Sequence, residues 1–319
     1  MPGMAVPLLG GLGGGGDIGL IMVLETLLEG VEPVYVSFAG CKPRNYAGRR
    51  VAGSLFEPVA YHPRDFEWSL KMLMPGARVY RVCVKSERGQ VEEALEWLEN
   101  RYSPNCTLHT DIGGDGILTG FEESLGSYIT DTLARASLLW AREKFGWRSY
   151  LAVGGLHLEG GRRRVLNLDE LVADLLYYEE RGGLKAVVDP PETAVSRARA
   201  LLYPGREMVS VMLPLYLAAL EGRTAINIAK GYSTGIHRVD WWTRYVFVLD
   251  NEVTCRASPL CMEAYKSWMP AIKDWRLLEP PRDFKRILRR VKVNQDKHLR
   301  RLIRAYNDNE ALKRLCKEV

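Results

Sequence analysis

Short apolar runs alternate with longer stretches of helical apolar spacing along most of the chain. The first run, Ala5–Leu9, leads into the glycine-rich stretch Gly10–Gly16 and then an apolar helix over Ile18–Leu28. Pro33–Phe38 reads as a strand ending in Ala39-Gly40. Residues 42–76, broken by Pro and Gly, read as irregular. Arg78–Val84 is the next strand and Gln90–Tyr102 the next helix. Cys106–Asp111 is a strand that runs into Gly113-Gly114-Asp115-Gly116, and a long helix follows over Glu122–Phe145. Ser149–Val153 is a strand ending in Gly154-Gly155. Asn167 is placed to cap a helix over Leu168–Arg181. Leu184–Val188 is a strand that ends in Asp189-Pro190-Pro191. Helices are expected over about 192–202 and 208–220, and two further strands over Thr224–Ile228 and Tyr245–Leu249.

Strand–helix alternation of this kind predicts an α/β fold, a mostly parallel sheet with helices on both faces. The runs VYVSF and KAVV suit strands buried on both sides. No repeat of solenoid or propeller length is present. Glu279-Pro280-Pro281 is the best boundary, which divides the chain into an α/β domain over 1–281 and a helical C-terminal extension over 282–319. In that extension the apolar residues at 284, 287, 288 and 291 share one helical face, as do those at 299, 302, 303 and 306.

Composition narrows the class. The 319 residues are 47% hydrophobic and 26% charged, which excludes wholesale disorder, collagen and a disulfide miniprotein. The apolar stretch Met208–Leu220 is too short to span a bilayer, and no Lys or Arg precedes an apolar core at the N-terminus, so a cytoplasmic protein with no membrane partner is expected. The net charge of +5 is uneven: the tail carries +8 and residues 1–281 sum to −3. Such a tail is either the solvated face of amphipathic helices or a contact for RNA. The six cysteines form no Cys-x-x-Cys, so zinc-ribbon and thioredoxin-like readings fail. Cys255 and Cys261 are close enough to bridge, but free thiols are the expectation for a reducing cytosol.

Candidate chemistry gathers where strands end. Small or acidic residues follow several strands, at Gly13–Asp17, Gly40, Asp111–Asp115, Gly154-Gly155 and Asp189. In an open parallel sheet such ends share the edge where ligands bind. Gly11-x-Gly13-x-x-Gly16 matches a dinucleotide fingerprint, but the second strand ends without an acid, which disfavours a nicotinamide dehydrogenase. What survives is a phosphate on the N–H groups of Gly13, Gly14, Gly15 and Gly16, with a metal at Asp17. Asp111 and Asp115, separated by Gly113 and Gly114, can hold Mg²⁺ or move a proton. His157, just past Gly154 and Gly155, is a candidate acid or base. His109 is expected to pack rather than react. Lys230, at the head of a segment rich in glycine and hydroxyls, would neutralise ligand charge. No His-x-x-x-His pair is present.

Three stretches resemble an uncharacterised, largely archaeal family known as domain of unknown function 1152. They are Gly13–Asp17, then Thr110-Asp111-x-Gly113-Gly114-Asp115, and last Leu217–Gly222 with Phe247–Asp250. The resemblance spans roughly residues 8–255, diverges over Ala225–Thr234 and leaves out the basic tail. It implies a Rossmann-like α/β fold in an archaeal cytosol and no particular activity.

Together these features lead us to expect an enzyme that binds a nucleotide or other phosphorylated small molecule at the carboxyl edge of the sheet, with Mg²⁺-assisted hydrolysis or transfer. Asp111, Asp115 and His157 would be catalytic, and Asp17, Asp111 and Asp115 would hold the metal. The alternative is a non-catalytic ligand-binding or RNA- or ribosome-associated protein that uses residues 282–319.

Overall fold

The computed structural model describes residues 6–13, 15–28, 32–41, 46, 48–59, 66–122, 128–158, 166–202, 212–228, 235–268 and 278–317. The N-terminal half contains β1 (Leu8–Gly13), α1 (Ile18–Leu24), β2 (Val34–Ala39), β3 (Arg49–Ala52), β4 (Leu55–Glu57), α2 (Phe66–Leu73), β5 (Arg78–Cys83) and α3 (Arg88–Tyr102). The middle contains β6 (Cys106–Ile112), α4 (Ile129–Phe145), β7 (Arg148–Gly154), α5 (Leu168–Glu179), β8 (Leu184–Val188), α6 (Val195–Arg199) and α7 (Met212–Leu220). A hairpin of β9 (Ala225–Ile228) and β10 (Gly235–Arg238) precedes β11 (Val246–Asp250), α8 (Asn251–Ala257) and α9 (Pro259–Ser267). The tail is α10 (Arg282–Val293), α11 (Gln295–Tyr306) and α12 (Ala311–Lys317).

Nine strands form one sheet in the order β3-β4-β5-β2-β1-β6-β7-β11-β8. The five central strands, β5 to β7, are parallel. Chain order reverses between β1 and β6, which is the switch point of a doubly wound, Rossmann-like sheet. Two differences from the expected pattern lie at the flanks. The segment read as irregular holds the short β3–β4 hairpin, antiparallel to β5, and helix α2. Its strands are brief, and Arg49 and Arg50 are exposed, so no apolar run marks them. At the other flank β11 slots antiparallel between β7 and β8, which leaves β8 parallel to the centre.

Helix boundaries also move. The long helix starts at Ile129 rather than Glu122, because Glu122 folds back to accept from the N–H groups of Thr119 (2.8 Å) and Gly120 (2.8 Å). The first strand runs on through the glycines to Gly13. Gly10 is demanded by close approach: a Cβ there would lie 1.8 Å from the Val36 carbonyl oxygen of β2.

One apolar cluster covers each face of the sheet. Side chains of α3, α4, α5 and α10 fill one, including Leu95, Leu139, Leu175 and Phe284. Side chains of α1, α2, α6 and α7 fill the other, including Ile21, Leu70, Ala198 and Tyr216. The tail belongs to this packing. Phe284, Ile287, Val291, Leu299 and Leu302 are fully buried, while Arg286, Arg289 and Arg290 are exposed, as the helical spacing predicts. Beyond α11, Asn307 bridges Val187 and covers the edge of β8. Among the described residues, no helix is long and apolar enough to cross a membrane.

The cysteine expectation is overturned. All six are paired, as Cys41–Cys83, Cys106–Cys316 and Cys255–Cys261. Only the last pair is close in sequence. The first joins the ends of adjacent strands β2 and β5, and the second ties α12 to the start of β6, so neither is visible without the fold.

Candidate functional site

Parallel pairing puts the ends of β1, β6 and β7 on one edge of the sheet, so Gly13, the turn at 15–17 and the turns at 113–116 and 154–157 stand side by side. The last two are zipped together by backbone: the Gly113 N–H donates to the Gly154 carbonyl (3.0 Å), and the His157 N–H to the Gly113 carbonyl (2.9 Å). The first is joined to them through Asp17, whose Oδ1 accepts from the Ile112 N–H at 3.1 Å. Thr110 at the end of β6 donates its hydroxyl to the Asp17 carbonyl oxygen (2.7 Å). Gly13, Gly113 and Gly114 take positive φ angles of 76°, 132° and 116°, which L side chains rarely adopt.

Asp111 and Asp115 meet beneath this turn. Asp111 Oδ2 accepts from the N–H groups of Gly114 and Gly116, each at 3.1 Å. Burial pushes the Asp111 carboxyl well above the usual carboxylate range, and the neighbouring Asp115, hydrogen-bonded to it, pushes in the same direction. Both causes favour the protonated form of Asp111. Gly116 makes room for it, since a Cβ there would sit 3.0 Å from the Asp111 carboxylate.

A second compartment lies along the same edge. It is a cavity of about 560 Å³ lined by His157, the start of α5 from Leu166 to Asp169, Asp240, Trp242 and Gln295 at the start of α11. Burial holds the His157 imidazole below its usual pKa, with Asp240 pulling it back up, so the ring is neutral near pH 7. Asn167 caps α5 as expected, accepting from the Asp169 N–H at 2.9 Å. Next to the lining residues Trp242 and Gln295, the tail meets the body: Trp241 donates to Asp296 Oδ1 (3.0 Å), and the Arg300 guanidinium lies 4.3 Å from the Trp241 ring centroid.

The strand-end glycines, Asp17, Asp111, Asp115 and His157 thus share one edge. Gly154 and Gly155 are part of it, although Gly154 also packs against Leu20 and Tyr216. Gly15 and Gly16 form a single tight turn ahead of α1. Gly14 and Lys230 lie outside the described residues. His109 is buried, with its pKa lowered to about 4 by that burial, and its Nε2 meets the Val36 carbonyl oxygen at 3.1 Å, which is a packing role. Among the described residues no group of three or more His, Cys, Asp or Glu side chains is arranged to hold a metal ion. Asp111 Oδ2 already accepts two backbone N–H bonds, which makes it a poor resident ligand for Mg²⁺.

Sequence reading missed three residues at the edge. Asp131, in the first turn of α4, stands against Gly13, where a Cβ would be 2.0 Å from its Oδ1. Thr130 and Lys85 both reach Gly40 at the end of β2. Lys85 follows β5 directly, so the strand-end rule would have found it. Thr130 and Asp131 are hidden inside an ordinary helical pattern.

A doubly wound α/β sheet with glycine turns and paired carboxyls at its switch point defines the class. Within that class the chain belongs to the family described as protein of unknown function DUF1152, whose model matches residues 67–269, more than half of the chain. The matched region includes the 113–116 and 154–157 turns, Lys85, Asp131, Asp240 and Trp242; it leaves out Gly13–Asp17 and the tail. No curated protein matches the chain.

Proposed function

We propose that this protein binds a nucleotide or another phosphorylated small molecule across the β1/β6 switch point and acts on it by proton transfer. One observation carries the reading: the glycine turns after β1, β6 and β7 stand together at the carboxyl edge where chain order reverses. The Asp111–Asp115 pair supplies and accepts the proton beneath that edge, and neutral His157 serves as a second base facing the cavity. A Mg²⁺ ion would arrive coordinated to ligand phosphate oxygens rather than reside in the protein. Hydrolysis or transfer at a cytoplasmic location is the corresponding reaction class and place.

The alternative, an RNA contact through 282–319, has weaker support. Arg286 and Arg290 lie near Glu180 and Arg301 pairs with Glu179, so part of the tail's charge is spent on α5 and the turn after it. Native mass spectrometry of the purified protein with AMP, UMP and glucose 6-phosphate, with and without Mg²⁺, tests the proposal. Saturable binding of at least one, followed by turnover in a phosphoester panel, is the expected result. Absence of binding by all three, together with salt-dependent RNA binding, would favour the tail reading.

A further inference from the structure

The strand ends next to the switch point hold an anion-binding arrangement that no motif marks. Gly13 of β1 pairs with Ala39 of β2, and Ala39 pairs with Cys83 of β5, so Gly13, Gly40 and Lys85 follow one another along the edge. A Cβ on Gly40 would lie 2.6 Å from Thr130 Oγ1 and 3.2 Å from Lys85 Nζ. Both polar groups therefore converge on the bare backbone of one glycine. Thr130 is only 8% exposed, yet among the described residues its hydroxyl has no hydrogen-bond partner. Lys85 is exposed, and its ammonium makes no ion pair among the described residues. Thr130 stands in the first turn of the 17-residue helix α4, the positive end of its dipole. A nearly buried, unused hydroxyl, an unused ammonium and a helix start at one glycine suit a dianionic oxygen cluster. By contrast, Asp131 faces Gly13 on the other side and Asp17 closes the β1 turn, so the glycine stretch itself is lined by acids.

We propose that the phosphoryl group of the ligand binds over the end of β2, on Lys85 Nζ and Thr130 Oγ1 with Gly40 as its floor, and not on the Gly13–Gly16 turn. This rests on the phosphorylated-ligand reading above and adds a length to it. Two strand spacings, about 10 Å, separate the end of β2 from the 113–116 turn at the end of β6. A ligand anchored at Lys85 and reacting over that turn has the dimensions of a nucleoside monophosphate. A three-carbon phosphate ester is too short.

The test is titration of the full-length protein by ³¹P NMR and calorimetry with inorganic phosphate, AMP and UMP. Wild type should bind all three, the nucleotides more tightly. Lys85→Met should weaken each by about tenfold or more, and Thr130→Val by about threefold to tenfold, as expected for losing hydrogen bonds to a charged group. Lys85→Arg should restore most of the affinity, and Gly40→Ala should weaken phosphate by crowding both groups. If Lys85→Met and Thr130→Val bind phosphate and nucleotide as wild type does, this subsite is wrong while the phosphorylated-ligand reading stands. If wild type binds none of the three, the site assignment and the reading beneath it both fail.

Discussion

The two compartments of the carboxyl edge are built from opposite materials. The turn over β6 is made of glycines and buried carboxyls whose hydrogen bonds are met by its own backbone: Asp111 by Gly114 and Gly116, Asp17 by Ile112. The cavity over β7 is made of side chains from four separate segments, and the carboxylates of Asp169 and Asp240 carry no ion pair among the described residues. The first is a rigid, self-satisfied frame, and the second an open space with unspent polar groups. A ligand gains most where polar groups lack partners and where little must be rearranged, so the frame positions while the cavity and the Gly40 corner recognise. Conserving the frame's shape should therefore matter to folding, and altering the cavity should matter to binding.

The sharpest way to break that division is to damage the frame. Gly13→Val places a β-branched residue at φ +76° and drives its Cβ into the Asp131 carboxylate. We expect a loss of about 3 kcal/mol or more by chemical denaturation. Asp111→Ala leaves two buried N–H groups without an acceptor and should cost about 2–4 kcal/mol. A variant at either position that keeps wild-type stability would show that the turn is not a structural frame.

The same contrast explains what could be read from sequence. The parallel centre of the sheet was legible because each strand is an apolar run closed by glycine or aspartate, and the frame was legible for the same reason. The β3–β4 hairpin was not, since Arg49 and Arg50 interrupt any apolar alternation, and the antiparallel entry of β11 depends on packing that no local pattern encodes. The recognising groups were mostly invisible. Lys85 stands alone after a strand, Thr130 lies inside a helix, Asp240 and Trp242 reach His157 only through the pairing of β11 with β7, and Gln295 only by the fold of the tail onto the body. The disulfides repeat the lesson, because Cys41–Cys83 and Cys106–Cys316 join residues that are neighbours only across the sheet. A thiol count on unfolded, unreduced protein should find no free thiol; six would restore the reduced state expected of a cytosolic chain.

A milder change sharpens the comparison through pH. The Asp111 carboxyl is raised in the folded state, so the folded protein binds more protons than the unfolded chain. The stability it contributes is full below the usual carboxylate range and is lost as pH rises through the folded value. Asp111→Asn keeps an acceptor for Gly114 and Gly116 but cannot ionise. Its stability deficit against wild type should be largest near pH 4 and should shrink as pH rises. Parallel denaturation curves for the two proteins from pH 4 to pH 8 would mean that Asp111 does not hold the proton.

The smallest effect is expected in the cavity. Asp240 is exposed and caps nothing with its side chain, so Asp240→Asn should change stability by no more than about 0.5 kcal/mol. Its effect should instead fall on His157. Burial lowers that imidazole and the Asp240 carboxylate partly offsets the shift, so removing the charge should lower its pKa further. Because the folded value is already below the unfolded one, stability from this group is present above the unfolded pKa and lost as pH falls through the folded value, and the variant should extend the range over which the ring stays neutral. An NMR titration of the His157 ring in wild type and Asp240→Asn reads this directly. A downward shift with unchanged stability would place Asp240 among the recognising groups; an unchanged ring with reduced stability would place it in the frame and dissolve the distinction between the two compartments.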